Sequence, residues 1–273
     1  MNLSNALMSE ALSTAQRAAR AGGAVVRAQF GQRVQITPKS AFEDRTTTDV
    51  DAEAAIFEVI RERYPDHRIR SEELGDHQGA SDFVWIIDPL DGTSNFILGI
   101  PHVAVCVSFA HNENILASVI YQPITNTMYW ASAHSGAYLD GAKLTAALEG
   151  RDLGTSTICN ILTYSMHNRP VASQAVYTLH YGTRRLLDTW APSLDWCLLA
   201  SGKVDGIVYL SDQLMCSDTG MLAGAFLWLE AGGALYRPDG QKIARIDEAL
   251  SVVAAAPALV NEICRTVNFG DIH

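Results

Sequence analysis

Trp85-Ile86-Ile87-Asp88-Pro89-Leu90-Asp91-Gly92-Thr93-Ser94-Asn95-Phe96 opens as a strand and closes as a turn. Phe83, Val84, Trp85, Ile86 and Ile87 are apolar and mostly β-branched or aromatic, which suits a buried strand. Pro89 has no N–H to give a ladder, so the strand is expected to stop there. Asp88 and Asp91 then lie on one side of a tight turn that Gly92 permits. Thr93, Ser94 and Asn95 bring hydroxyl, amide and backbone N–H groups to a place where a helix can begin. Carboxylates at a strand end beside exposed amides are what a hard cation and a phosphate need together. Asp-Pro and Asp-Gly are also common turn dipeptides, and taken alone these acids could simply cap a turn.

The 273 residues are 48% hydrophobic and 18% charged, enough for one large core or two lobes. A formal net charge of −10 argues against a nucleic-acid polymer as partner, which wants a basic face. It also offers no field to attract a phosphate ester, so local cations are needed, and metals are the obvious supply. Cys106, Cys159, Cys197, Cys216 and Cys264 are widely spaced without a C-x-x-C, so buried free thiols in a reducing compartment are expected and a zinc site is not. Neither a signal peptide nor a membrane-spanning run is apparent, and a cytoplasmic location is the expectation.

Along the chain, apolar residues at helical spacing predict helices over 4–30 and 50–64, the second capped by Thr48 or Asp49. A strand near 67–71 leads into Glu72-Glu73. After the opening turn, strands at 102–110, 114–122, 127–132 and a short pair around Asp140-Gly141 make an antiparallel meander. Residues 145–155 are polar, a candidate boundary between a lobe at 1–150 and one at 151–273. The second lobe alternates: strand 156–163, helix 168–180, helix 193–202, strand 204–210, helix 221–231, strands 234–236 and 251–256, and a terminal helix 258–267. That is an α/β pattern after an α+β one.

Acids recur at element ends: Asp51, Glu72, Glu73, Asp88, Asp91 and Asp218. Any one of them is commonly a cap or a solvated charge. Together they make an oxygen-only ligand set without His or Cys, suited to Mg2+ or Mn2+. His102, His111, His134, His167 and His180 show no metal-ligand spacing and read as core or surface residues.

The order Glu72-Glu73, then Trp85 to Phe96, then Ser217-Asp218 leading to Glu230-Ala231-Gly232-Gly233, resembles the inositol monophosphatase family of metal-dependent, lithium-sensitive phosphatases. Thr48-Asp49-Val50-Asp51, Pro101 to Val105 and Gly136-Ala137-Tyr138 match it too, and the likeness spans nearly the whole chain. The resemblance implies a layered αβαβα sandwich and a phosphomonoesterase acting on a small phosphorylated polyol or sugar. It implies roughly two or three Mg2+ ions, Mn2+ being possible, held by Glu72, Asp88, the Leu90 carbonyl, Asp91 and Asp218. Thr93 and Asp51, with Glu72 close by, would orient and deprotonate the attacking water. Gly92, Thr93 and Ser94 would give N–H groups to the phosphate. A homodimer is expected on the same ground.

The substrate side departs from the family pattern. A Glu usually found seven residues before the last metal Asp is Ser211 here, next to Asp212, and the Trp usually preceding that Asp is Ser217. The segment usually read as Gly-Ser-Ala-Ala-Leu-Asp is Trp190-Ala191-Pro192-Ser193-Leu194-Asp195. Loop drift around an inositol phosphate would account for this. So would a different polyol, sugar or nucleotide phosphate, including the 3′-phosphate of an adenosine bisphosphate, with a base pocket near Trp190 and Tyr209. A third reading is a binding protein with vestigial catalysis.

Overall fold

The computed structural model describes residues 5–267 and 269. Helix α1 (Asn5–Gln29) and a hairpin of β1 (Ile36–Pro38) and β2 (Asp44–Thr46) precede α2 (Thr47–Arg63). There follow β3 (Arg68–Ser71), β4 (Gly75–His77), β5 (Phe83–Asp91), α3 (Thr93–Leu98), β6 (Ala104–His111), β7 (Asn114–Gln122), β8 (Thr127–Ser132), β9 (Gly136–Leu139) and β10 (Ala142–Leu144). The second half runs β11 (Thr157–Leu162), α4 (Pro170–Gly182), β12 (Arg185–Leu187), α5 (Pro192–Ala200), β13 (Gly206–Leu210), α6 (Thr219–Glu230), β14 (Val252–Ala255) and α7 (Pro257–Thr266).

β3 to β10 form an eight-stranded sheet in the order β10-β9-β8-β7-β6-β5-β3-β4. One face, with Trp85, Ile87, Val105, Phe109 and Val119, packs on Ala15, Ala18, Ala19 and Ile56 of α1 and α2. The other face, with Val84, Ile86, Cys106 and Ile120, packs on Trp196 of α5 and Leu222, Phe226 and Leu227 of α6. The opposite side of those helices meets a four-stranded sheet, β12-β11-β13-β14, through Cys159, Ile207 and Val252. The outer face of that sheet, with Ile158, Val208 and Val253, is covered by α4 and α7. The layers are therefore αβαβα. Strand alternation puts adjacent residues on opposite faces, which is why Trp85 and Ile86 belong to different cores. Residues Thr219 to Trp228 of α6 are all buried, because a helix between two sheets has no face left for water.

Pro89 does not end its strand. β5 continues to Asp91, and the register with β6 shifts between Asp88 and Asp91. Pro89 is tolerated because it sits in that irregularity, where no ladder bond is asked of it. Helix α2 starts earlier than its pattern suggests, capped by Thr46 in a capping box with Asp49. The expected strand 234–236 is reduced to bridges from Tyr236 to Lys242 and Val253. Cys106, Cys159 and Cys197 are buried free thiols, and Cys264 is free and partly buried. Among the described residues no helix is long and apolar enough to cross a membrane.

Candidate active site

β3 and β5 run parallel, Ser71 opposite Ile87, and the Glu72 N–H closes onto the Ile87 carbonyl at 3.2 Å. Glu72 is thereby delivered beside Asp88. Asp88 and Asp91 are each 4% exposed, at the end of a strand with apolar layers on both sides. The Leu90 N–H donates to Asp88 Oδ1 at 3.1 Å. Asp91 Oδ2 accepts the backbone N–H of Ser193 at 3.0 Å and the Ser193 hydroxyl as well. Ser193 lies in the first turn of α5, where unpaired N–H groups and the helix dipole favour a carboxylate.

Gly92 adopts φ 89°, left-handed, and lets β5 turn into α3. A Cβ there would stand 3.0 Å from the His102 carbonyl oxygen and 3.3 Å from that of Trp190. In the turn, Thr93 Oγ1 lies 3.1 Å from the Leu90 carbonyl oxygen and 3.0 Å from Asp49 Oδ1. Asp49, 1% exposed, also accepts the Thr46 N–H at 2.8 Å and the Thr46 hydroxyl at 2.6 Å. Burial raises its carboxyl pKa, and the Thr46 bonds oppose the rise.

The structure corrects the sequence reading here: the acid beside Thr93 is Asp49, not Asp51. Two helical positions are about 200° apart, so the residues face opposite ways. Asp51 is exposed and bonded to Gln29 Nε2 at 2.9 Å. The capping box Thr46-x-x-Asp49 was the signal that could have separated them.

Asp218 caps α6, accepting the Met221 N–H at 2.9 Å. Burial pushes its pKa up to about 6, against that bond. At Asp88, burial and then the charges of Glu72, Asp91 and Asp218 hold the carboxyl well above the usual range. Burial does the same to Asp91, against the Ser193 bonds. Gly220 follows closely: a Cβ on it would stand 2.8 Å from Asp88 Oδ2. Lys39, which the sequence did not single out, reaches in from the β1–β2 hairpin and bonds Glu72 Oε1 at 2.8 Å and also Glu73. Burial pushes Glu73 up to about 7, the Lys39 bond opposing. Lys39, Asp49, Ser193 and Gly220 are the site residues that sequence reasoning missed. Lys39 comes from a hairpin with too little pattern to read, while Asp49, Ser193 and Gly220 lie in or beside stretches that were singled out, and only the folded backbone shows which way they face.

On the substrate side, Ser94 is partly buried at the start of α3. Trp190 is 55% exposed, with φ 56°. Ser211 is not at the surface of the site. It is 2% exposed, its hydroxyl donates to the Gln213 carbonyl at 2.9 Å, and its N–H donates to Ser251 Oγ. The turn after β13 consumes its polar groups. Asp212 is exposed and held by Arg169 at 2.9 Å and by the Ser165 hydroxyl. Tyr209 is 1% exposed, so it lies in the core and not in a base pocket.

Among the described residues no three or more His, Cys, Asp or Glu side chains form a ready metal cage. Glu72 is turned to Lys39, Asp91 to Ser193 and Asp218 to Met221. The donor set nevertheless fits a hard divalent cation. It is all oxygen, its carboxylates raise one another's pKa, and Gly220 leaves the space beside Asp88 Oδ2 open.

An αβαβα sandwich with acids from β5, the β3 end and the α6 cap gathered at one strand-to-helix turn defines the metal-dependent phosphatase class. The chain belongs to the inositol monophosphatase family, whose model matches residues 7–270. It is 33% identical over 264 residues to Nus factor SuhB of Pasteurella multocida, covering 95% of this chain and 96% of that one. It is 34% identical over 241 residues to Nus factor SuhB of Pseudomonas aeruginosa, covering 83% and 84%. In fold it matches the crystal structure of extragenic suppressor protein suhB from Bartonella henselae with TM-score 0.84 at 24% identity, over 94% and 98% of the two chains. The Thermotoga maritima IMPase matches with TM-score 0.82 at 23% identity, over 95% and 97%. Family membership supports a phosphatase of the inositol-monophosphatase type, metal-dependent and generally using Mg2+.

Proposed function

We propose that the chain is a Mg2+-dependent phosphomonoesterase acting on a small phosphorylated alcohol, with the polyol and sugar esters of the family as reference substrates. The observation that carries this reading is the meeting of three segments at the turn before α3: Asp88 and Asp91 end β5, Glu72 follows β3 alongside Ile87, and the α6 start capped by Asp218 brings Gly220 against Asp88 Oδ2. Glu72, Asp88, the Leu90 carbonyl, Asp91 and Asp218 are the groups that would hold the ions. When bound, they would acidify water and neutralise developing charge.

The chain's own part is positioning and proton movement. The N–H groups of Gly92, Thr93 and Ser94 lie at the entry to α3, where intrahelical acceptors run out, and would donate to the phosphate oxygens. Thr93 Oγ1 donates to Asp49 Oδ1, so a water donating to Thr93 can pass its proton through the hydroxyl to Asp49. The Thr46 bonds keep Asp49 in place for that role.

Asp91→Asn tests the reading. It should keep the wild-type unfolding temperature within a few degrees yet lose at least about a hundredfold in Mg2+-dependent turnover of phosphate esters. Wild-type turnover in that variant would overturn the mechanism. Lithium inhibition of the same assay is a second check. The SuhB relatives' description as Nus factors supports a second reading, a binding role with vestigial catalysis. A titration in which neither Mg2+ nor Mn2+ binds would favour it.

A further inference from the structure

Glu72 differs from the other acids of the site. Asp88 and Asp91 are fixed by burial and by the strand that carries them, whereas the Glu72 side chain is 42% exposed and follows the end of β3 on a short turn. Its place beside Asp88 therefore depends on where that turn holds its backbone. The Glu72 N–H bond to the Ile87 carbonyl ties one point of the turn to β5. The rest of the turn is gripped from α2.

Glu53 supplies the grip. It is 0% exposed, and its Oε1 accepts the Ser71 hydroxyl and, at 3.2 Å, the Leu74 N–H. Those donors lie on either side of Glu72-Glu73, so one oxygen ties both ends of the Ser71–Leu74 turn. Glu53 follows Asp49 by one helical turn, on the same face of α2. The face that hands Asp49 to Thr93 thus also holds the segment carrying Glu72. Core packing does not ask for a carboxylate here. The neighbouring Ala52 and Ile56 belong to the apolar layer under the first sheet, and Glu53 Oε2 is buried without a hydrogen-bond partner among the described residues. An unpaired buried oxygen costs stability that an apolar side chain of like size would not.

Resting on the phosphatase reading, we propose that Glu53 is a positioning residue for metal binding: by clamping Ser71 and Leu74 it sets the backbone from which Glu72 reaches the ion. Glu53 itself touches neither ion nor substrate. It fixes the turn in advance, so that ion binding does not have to order it.

Glu53→Leu keeps the bulk and removes the acceptors. Isothermal titration should show Mg2+ binding weakened at least about tenfold, and the Mg2+ midpoint for hydrolysis of inositol monophosphate should rise in step. At saturating Mg2+, kcat should return to within about threefold of wild type, because the reacting groups are intact. Glu53→Gln keeps an acceptor oxygen in the same place and should restore the midpoint to within about threefold. Ser71→Ala removes one bond without altering α2. It should weaken Mg2+ binding about threefold, and have no further effect in the Glu53→Leu background. Ile60→Val, a buried change on the same helix, is the control for lost stability alone: it should melt lower and bind Mg2+ as wild type does.

If Glu53→Leu behaves like Ile60→Val, melting lower with unchanged Mg2+ affinity, Glu53 is a core residue only, and the positioning role is overturned while the phosphatase stands. Should Glu53→Leu not fold, Ser71→Ala decides, and unchanged Mg2+ binding there overturns the role. If the wild-type protein neither binds Mg2+ nor hydrolyses phosphate esters, the phosphatase reading fails and takes this role with it.

Discussion

Asp49 accepts three hydrogen bonds at once, two from Thr46 that start α2 and one from Thr93 at the site. One carboxylate thus ties a helix cap to the chemistry. Asp49→Asn should lower kcat by about a hundredfold or more through lost proton acceptance, and cost about 1 kcal/mol through the weaker cap. Asp51→Asn should stay within about twofold of wild type in the same ester-hydrolysis assay. The acids were legible in the sequence as a set, since burial beside apolar strands is hard to explain for Asp88 and Asp91 otherwise. Their individual assignment was less so, because Asp49 and Asp51 differ only in which way the helix turns them.

Asp195 gives a prediction of a different kind. It is 1% exposed, accepts the Thr189 hydroxyl at 2.8 Å, and burial pushes its pKa up to about 7. A raised carboxyl pKa means that the folded state holds its proton more tightly than the unfolded chain. The associated stability is present below the ordinary carboxylate range and is lost as pH rises toward about 7. Asp195→Asn should therefore be more stable than wild type at a pH of about 8, by a few kcal/mol at most, and gain little at a pH of about 4. Urea unfolding at both values measures this, and an equal change at both would sink it.

At the scale of elements, the site is held by the starts of helices. The Asn95 amide, 2% exposed in α3, donates to the His102 carbonyl at 2.8 Å and to the Thr189 carbonyl at 2.7 Å. It joins α3 to the segment entering α5, whose Ser193 holds Asp91. Asn95→Ala leaves two acceptors without their donor and should cost about 2–4 kcal/mol in urea unfolding. Gly220→Ala should add helix propensity to α6 yet press a methyl on Asp88, raising the Mg2+ midpoint at least about tenfold in activity and in thermal shift. Long periodic elements such as α1, β5, β6 and β7 were readable from apolar spacing. The β1–β2 hairpin and β12 were not, since three-residue strands carry too little pattern unless a turn marks them, as Asp140-Gly141 does for β9 and β10. Lys39 went unnoticed with that hairpin, and Pro89 misled because its ladder position depends on the partner strand.

Across the whole molecule, a chain of net charge −10 concentrates buried acids where its layers meet. Divalent ions binding only the folded form should stabilise it by about 2–4 kcal/mol when in large excess. Melting in Mg2+ against EDTA, at matched ionic strength, should separate by roughly 4–16 °C. No separation would count against the metal assignment. The layer order has one more consequence, for synthesis on the ribosome. The inner face of the first sheet, with Val84, Ile86, Cys106 and Ile120, is covered by α5 and α6, which are translated long after it. A nascent chain that has released β10 therefore carries an uncovered apolar sheet, and Asp218 has yet to emerge. Vectorial folding leaves this protein sticky and catalytically incomplete until its last third arrives, the interval in which chaperone capture or premature truncation would matter most.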